Sequence, residues 1–264
     1  MARVFTLSSG SDGNCAYIGD AESGILIDLG ISFKKLKAQL DEYDMSIQNI
    51  EAVLLTHEHS DHIKGLATFL KQTEIPIYAS QKTVSYINEH NPDIVGRITP
   101  LDENTDYKLE RTCFTAYKVY HDSVEAYGYK IKTADNRIVS YATDTGHFDE
   151  ALFDNIKGSD LCIIEANHDE GMLSCNISYP YLLKKRILGD CGHLSNSACA
   201  KAVLELLRNN TRRFILAHLS SQNNTPQVAF ETVNSALKCE GFVKDIDYIL
   251  EVAPRLENSR MMIF

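Results

Sequence analysis

Residues His57-Glu58-His59-Ser60-Asp61-His62 put three imidazoles and two carboxylates into six consecutive positions. Neutral imidazole nitrogen and carboxylate oxygen are the donors that suit zinc, iron and manganese. In an extended segment, side chains two apart point the same way. His57 and His59 therefore face one point, and Asp61 and His62 turn around it where the chain bends. A divalent cation held there polarises a substrate oxygen and acidifies a bound water. The zincin pattern His-Glu-x-x-His needs a second histidine at i+4 on a helical face. Asp61 stands at that position, so what remains is His-x-His-x-Asp-His.

A ligand cluster needs rigid elements to aim it. The apolar run Ile50 to Thr56 reads as a strand leading into the cluster, and His62 to Lys71 reads as the helix leaving it. Four more polar residues stand just past apolar runs of the same kind. Asp28 follows Ile25-Leu26-Ile27, His121 follows Tyr117 to Tyr120, Asp144 follows Val139-Ser140-Tyr141, and His218 follows Ile215-Leu216-Ala217. His147 and His168 compete with His121 for a ligand role, whereas His90 and His147 read as surface residues. Other strands are expected at Val4–Leu7, Cys15–Ile18, Gly24–Leu29, Ile75–Ala79, Phe114–Tyr120, Tyr127–Lys132, Arg137–Thr143, Leu161–Glu165, Arg213–Ala217, Tyr248–Val252 and Arg260–Ile263. Helices are expected at Ser32–Leu40, Gln81–His90, Tyr179–Leu188, Ser195–Asn209 and from the Thr225-Pro226 cap to Cys239. Many strands and several helices in mixed order suggest two sheets packed face to face with helices outside.

The 264 residues carry 44% hydrophobic and 23% charged side chains, an ordinary globular balance, with no linker-like tract. One domain over residues 1–264 is expected. No apolar run is long enough for a membrane span, so no membrane partner is expected. The first residues enter a strand pattern without signal-peptide architecture. Seven scattered cysteines without a Cys-x-x-Cys pair fit reduced thiols in a cytoplasm and no thiolate metal site. A net charge of −10 opposes a broad, non-specific grip on nucleic acid, though not a local basic patch.

Taken in order, Asp28, the His57–His62 string, His121, Asp144 and His218 resemble the five motifs of the metallo-β-lactamase superfamily. The blocks Ser9-Gly10-Ser11-Asp12-Gly13-Asn14, Thr143-Asp144-Thr145-Gly146, Glu165-Ala166-Asn167-His168-Asp169, Gly192-His193-Leu194-Ser195-Asn196 and Ala217-His218-Leu219-Ser220 are similar to the YycJ (WalJ) group of that superfamily, which is linked to DNA exonuclease activity. A more distant similarity is to ribonuclease Z, where a Glu after a strand pairs with a His before a helix. Glu165 and His193 fit those two places. The ribonuclease Z arm and the extra domain of the β-CASP nucleases have no counterpart in this sequence.

The resemblance implies an α/β fold, a four-layer αβ/βα sandwich of two packed mixed sheets with helices on the outer faces. It implies two divalent cations, zinc first, with manganese or iron as alternatives. His57, His59 and His121 would hold one metal, Asp61, His62 and His218 the other, and Asp144 would bridge them. Asp28 would hold a ligand imidazole by a hydrogen bond. The implied activity is a phosphodiesterase or nuclease, exonuclease-like, that uses a metal-bridging hydroxide. Asp61 would orient that hydroxide, and His193, held by Glu165, would serve the leaving oxygen. The implied substrate is nucleic acid, DNA before RNA, or a small phosphodiester. The alternative is a carboxyl-ester, thioester or lactone hydrolase on the same scaffold. Redox di-iron members of the superfamily carry Glu where His59 stands and have a flavin domain, so that class does not fit.

Overall fold

The computed structural model describes residues 1–264. The chain forms two compact units. One holds Met1–Lys118, Ser123–Arg137 and Pro254–Phe264, and the other holds Val119–Asp122 and Ile138–Ala253. The strands of the first unit are β1 (Arg3–Ser8), β2 (Cys15–Gly19), β3 (Gly24–Ile27), β4 (Ile50–Leu54), β5 (Ile77–Ser80), β6 (Thr99–Leu101), β7 (Asp106–Lys108), β8 (Cys113–Val119, its last residue falling to the second unit) and β9 (Ala126–Lys132). Its helices are α1 (Phe33–Asp41), α2 (Ser60–Ile63), α3 (Leu66–Gln72) and α4 (Gln81–His90). The second unit holds the strands β10 (Ile138–Ala142), β11 (Leu161–Glu165), β12 (Arg213–Ala217) and β13 (Ile249–Val252). Its helices are α5 (Glu150–Ile156), α6 (Glu170–Cys175), α7 (Tyr181–Ile187), α8 (Asn196–Arg208) and α9 (Pro226–Cys239). The last strand, β14 (Met262–Ile263), returns to the first unit.

In the first unit, β14-β1-β2-β3-β4-β5-β6 form one mixed sheet. Its front strands are antiparallel, with Val4 opposite Ile18 and Ala16 opposite Ile27. From β3 onward the pairs are parallel, with Ile27 level with Leu54. All residues of β2 and β3 are buried, so these strands read as continuous apolar runs rather than alternating ones. Phe5, Leu7, Tyr17, Leu26, Val53 and Leu55 pack with Leu36 and Leu40 of α1, Leu66, Phe69 and Leu70 of α3, and Ile87 of α4. Full burial of one such side chain stabilises by about 1.5–3 kcal/mol. Ser32 caps α1 by accepting from the Lys35 amide at 3.3 Å. The single helix expected over His62–Lys71 is instead two, α2 and α3, broken at Gly65. The Gly65 amide donates to Leu29 O at 2.8 Å, and a Cβ at this position would lie 2.1 Å from Ile31 O. The chain passes too close to the loop after β3 for one continuous helix.

In the second unit, β13-β12-β11-β10 run parallel. Register aligns Ala142 with Ile164, Glu165 with Ala217 and Leu216 with Val252. Parallel strands need crossovers, which the helices supply. Val203, Leu206 and Leu207 of α8 and Ala229, Val233 and Leu237 of α9 are buried. Ser195 and Thr225 cap α8 and α9, at 3.2 and 3.1 Å to the amides three residues on, the Thr225 cap as expected. Sequence patterning passed over β6, β7, α5 and α6. The helix expected over Tyr179–Leu188 forms as the shorter α7, which buries none of its residues.

Candidate metal centre

In the first unit, parallel β3 and β4 end side by side, and the polar residues follow directly. The Asp28 amide bonds Leu54 O at 2.9 Å. The Asp28 carboxylate is fully buried and takes the Thr56 amide at 2.7 Å, the Thr56 hydroxyl at 2.9 Å and His62 Nδ1 at 2.7 Å. Burial raises the Asp28 pKa, with His62 pulling the other way. With Nδ1 of His62 held in this way, Nε2 is the nitrogen that could take a metal, the usual carboxylate–imidazole arrangement around a bound metal. The Thr56 hydroxyl also lies 3.0 Å from His57 Nδ1. The ring centroid of His57 is 4.5 Å from that of His59 and 4.1 Å from that of His62. His59 occupies the N-cap of α2, and Asp61 its first turn.

The loop from Ser9 to Asn14 is pinned against this cluster. The Asn14 amide nitrogen donates to Asp61 O at 2.8 Å, and Gly30 N–H donates to Asn14 O at 2.8 Å. Gly30 permits this approach, because a Cβ there would lie 1.8 Å from Asp61 O. The Asn14 side-chain amide reaches Asp61 Oδ2 at 3.2 Å and lies 3.0 Å from His62 Nε2. Glu58, the variable residue of the string, accepts from Val124 N–H at 2.9 Å.

In the second unit, β10, β11 and β12 deliver Asp144, Glu165 and His218 at their carboxyl ends. The ligand atoms of Asp144, Glu165, His193 and His218 lie within 4.8 Å of one another. One oxygen of the fully buried Glu165 receives two rings, His193 Nδ1 at 2.8 Å and His218 Nδ1 at 2.9 Å. Its other oxygen accepts the amides of Thr145 at 3.0 Å and Leu194 at 3.2 Å. Burial opposes a charge on Glu165, but the two rings and these donors hold its pKa well below the usual carboxylate range. Burial also works against a charged His193; Glu165 beside it prevails and raises its pKa. Asp144 Oδ1 lies 3.4 Å from His218 Nε2 and 3.7 Å from His121 Nε2. His121 Nδ1 lies 3.3 Å from Gly192 O, and burial lowers the His121 pKa against the charge of Asp144.

Three of these strand-end residues, Asp28, Asp144 and His218, have φ of 64°, 55° and 56°. Non-glycine residues reach this left-handed region at a cost of about 1–2 kcal/mol each, and such strain gathers at functional sites. The donor chemistry and the carboxylate-held imidazoles in each unit fit divalent cations.

Asn14, Thr56 and Glu58 had no assigned role in the sequence, and neither did Asn167, whose amide donates to His218 O at 2.9 Å. The Ser9–Asn14 and Glu165–Asp169 blocks were visible signals for Asn14 and Asn167, and the His57–His62 string for Glu58; their bonding partners needed the fold. His168 is buried with neither ring nitrogen hydrogen-bonded, and Asp169, not His168, caps α6. Burial lowers the His168 pKa, with Glu165 opposing. His90 is exposed, and His147 is half-buried against Asp190 O. All seven cysteines are free thiols, and burial pushes Cys162 up to about 12. No helix is long and apolar enough to cross a membrane.

Residues 24–219 match the model of a beta-lactamase superfamily domain. The chain is 35% identical over 242 residues to the exodeoxyribonuclease YycJ of Bacillus anthracis, covering 89% of each. It is 33% identical over 237 residues to the exodeoxyribonuclease WalJ of Streptococcus pneumoniae, covering 88% of this chain and 86% of that one. The crystal structure of the metallo-beta-lactamase fold protein YhfI from Bacillus subtilis superposes with a TM-score of 0.72 over 99% of both chains at 14% identity. That likeness shows the fold: α/β, with two mixed sheets and helices, of the metallo-β-lactamase type.

Proposed function

We propose that this chain, which belongs to the beta-lactamase superfamily and within it to the group of the exodeoxyribonucleases YycJ and WalJ, is a two-metal phosphodiesterase that degrades nucleic acid from an end, DNA before RNA. The observation that carries the proposal is the Glu165 carboxylate, shared between His193 and His218. It ties a metal-ligand imidazole to an imidazole whose raised pKa suits a proton donor.

In this reading His57, His59 and His121 would hold one cation, Asp61, His62 and His218 would hold the other, and Asp144 would serve both. Zinc suits the imidazole-rich donor set, and manganese and iron accept it too. Two such cations, when bound, supply an acidified water and offset phosphate charge. Asp28 fixes the ring of His62, and Glu165 fixes that of His218, so that each offers Nε2. Asp61, steadied by the Asn14 amide, orients the attacking oxygen and takes its proton. His193 gives a proton to the leaving oxygen, and Glu165 keeps it protonated and aimed. Seven free thiols fit a reducing cytoplasm.

The test is His193→Ala. The variant keeps its metals and slows on an oligonucleotide by roughly 10²–10⁴-fold, the range for a lost general acid. A nitrophenolate leaving group needs no proton, so hydrolysis of a nitrophenyl phosphodiester falls far less. Equal slowing on both substrates, or loss of metal, refutes the acid role.

A further inference from the structure

Helix α7 buries none of its seven residues. A surface helix of a globular protein ordinarily buries an apolar stripe. Here Tyr181 and Leu182 are each 76% exposed, Leu188 is 57% exposed, and Ile177 just upstream is fully exposed. Backbone and ionic contacts add to the partial packing of Leu183 and Ile187 in holding the helix in place. Ile187 O accepts the His193 amide at 3.0 Å. Lys184 Nζ donates to Ser174 O at 2.6 Å, and Arg186 pairs with Asp122, the neighbour of His121. Tyr181, Leu182 and Leu188 thus stand open beside the loop that carries His193, while Leu183 and Ile187 are half-buried.

We propose that α7 is the docking surface for the single strand of nucleic acid whose end reaches the metal centre. Charge points to that occupant. From Gly171 to Gly189 the chain carries Lys184, Lys185 and Arg186 and no Asp or Glu, against a net charge of −10 overall. An exposed aromatic side chain beside cations offers a face on which a base stacks while the backbone phosphates are neutralised, and Leu182 extends that face. Tyr181 and Leu182 take base faces, and Lys185 takes a phosphate. A second copy of the chain is a poor occupant. A two-fold interface sets the same patch against itself, which would oppose the cations of one copy to those of the other. Interface cores are also depleted of lysine.

This inference rests on the nuclease reading, and the experiment separates the two. The metal-loaded full chain is compared with Lys185→Glu and with Tyr181→Ser/Leu182→Ser. The readout is the ratio of kcat/KM for a single-stranded oligonucleotide to kcat/KM for bis(p-nitrophenyl) phosphate, which is too small to span α7. The ratio is expected to fall at least about tenfold in the double variant, through lost stacking. In Lys185→Glu the slope of log KM against log salt becomes shallower by at least about 0.7, the value for one phosphate contact on a single strand. A wild-type ratio and slope in both variants overturn the docking surface and leave the nuclease reading standing. A ratio unchanged while the double variant shifts from dimer to monomer in sedimentation assigns the face to a second copy. A wild type that cleaves no nucleic acid overturns both.

Discussion

Replacing Glu165 with Gln changes one oxygen to an amide nitrogen and sets two pairs of contacts against each other. One Glu165 oxygen serves His193 and His218, and the other serves the amides of Thr145 and Leu194. A glutamine can keep its oxygen on only one side. With the oxygen toward the amides, the NH₂ faces both Nδ1 atoms. Each ring must then carry its proton on Nε2, which removes His218 Nε2 as a metal donor. With the oxygen toward the rings, the NH₂ faces two backbone donors, and each buried group left unsatisfied costs about 1–3 kcal/mol. His193 loses its charged partner in either arrangement. The expected result is metal affinity lower by about 10–100-fold, the range for a lost partner of a ligand imidazole. Turnover on an oligonucleotide falls by about 10²-fold or more as the proton donor is discharged. Metal titration followed by elemental analysis, with turnover measured on both leaving groups, reads both effects. A Glu165→Gln protein with wild-type metal affinity and turnover would refute the shared-carboxylate argument.

Asp28→Asn weakens the hold on His62 and exchanges a buried carboxylate for a group that cannot satisfy Thr56 and His62 together. Metal affinity falls by about 10–100-fold, measured by competition with a chromogenic chelator, while Asn14→Ala has a smaller effect. Asp144→Ala removes the carboxylate assigned to both metals and lowers metal content at both sites, whereas His121→Ala lowers it at one; elemental analysis of the purified variants distinguishes the two. Asp20 supplies a pH signature remote from the metals. Burial would raise its pKa, but the amides of Ser23 and Glu22 and the Arg111 guanidinium lower it below 3.8. Its stabilisation is therefore complete above the unfolded value and lost as pH falls through the lower folded value. Denaturant melts of Asp20→Asn should show a deficit of at most about 1 kcal/mol near neutrality that closes under acid; a deficit that grows on acidification contradicts the assignment.

Asp28, His57, His121, Asp144 and His218 were legible as candidates because each stands where an apolar run stops. Ile25-Leu26-Ile27 before Asp28 and Ile215-Leu216-Ala217 before His218 are fully buried strand segments, and nothing local competes with that signal. The Thr225-Pro226 cap was equally direct. β6 and β7 have three residues each and are mostly exposed, so they carry no periodicity to find. α5 and α6 are one to two turns long, and only the capping side chains of Asp149 and Asp169 mark them. The break at Gly65 depends on Ile31 O, far along the chain, and could not be read locally. The same holds for the second partner of Glu165. The resemblance to ribonuclease Z pairs Glu165 with His193, but only the parallel register of β11 and β12, with Glu165 level with Ala217, brings His218 onto the same oxygen.

The most direct test of the central claim titrates metal-free protein with zinc or manganese while following cleavage of an end-labelled DNA strand. The two-metal phosphodiesterase account predicts no cleavage without metal and a rise that levels off near two equivalents per chain. Cleavage that saturates at one equivalent, or a metal-loaded protein that turns over lactones or thioesters and leaves every phosphodiester intact, contradicts it.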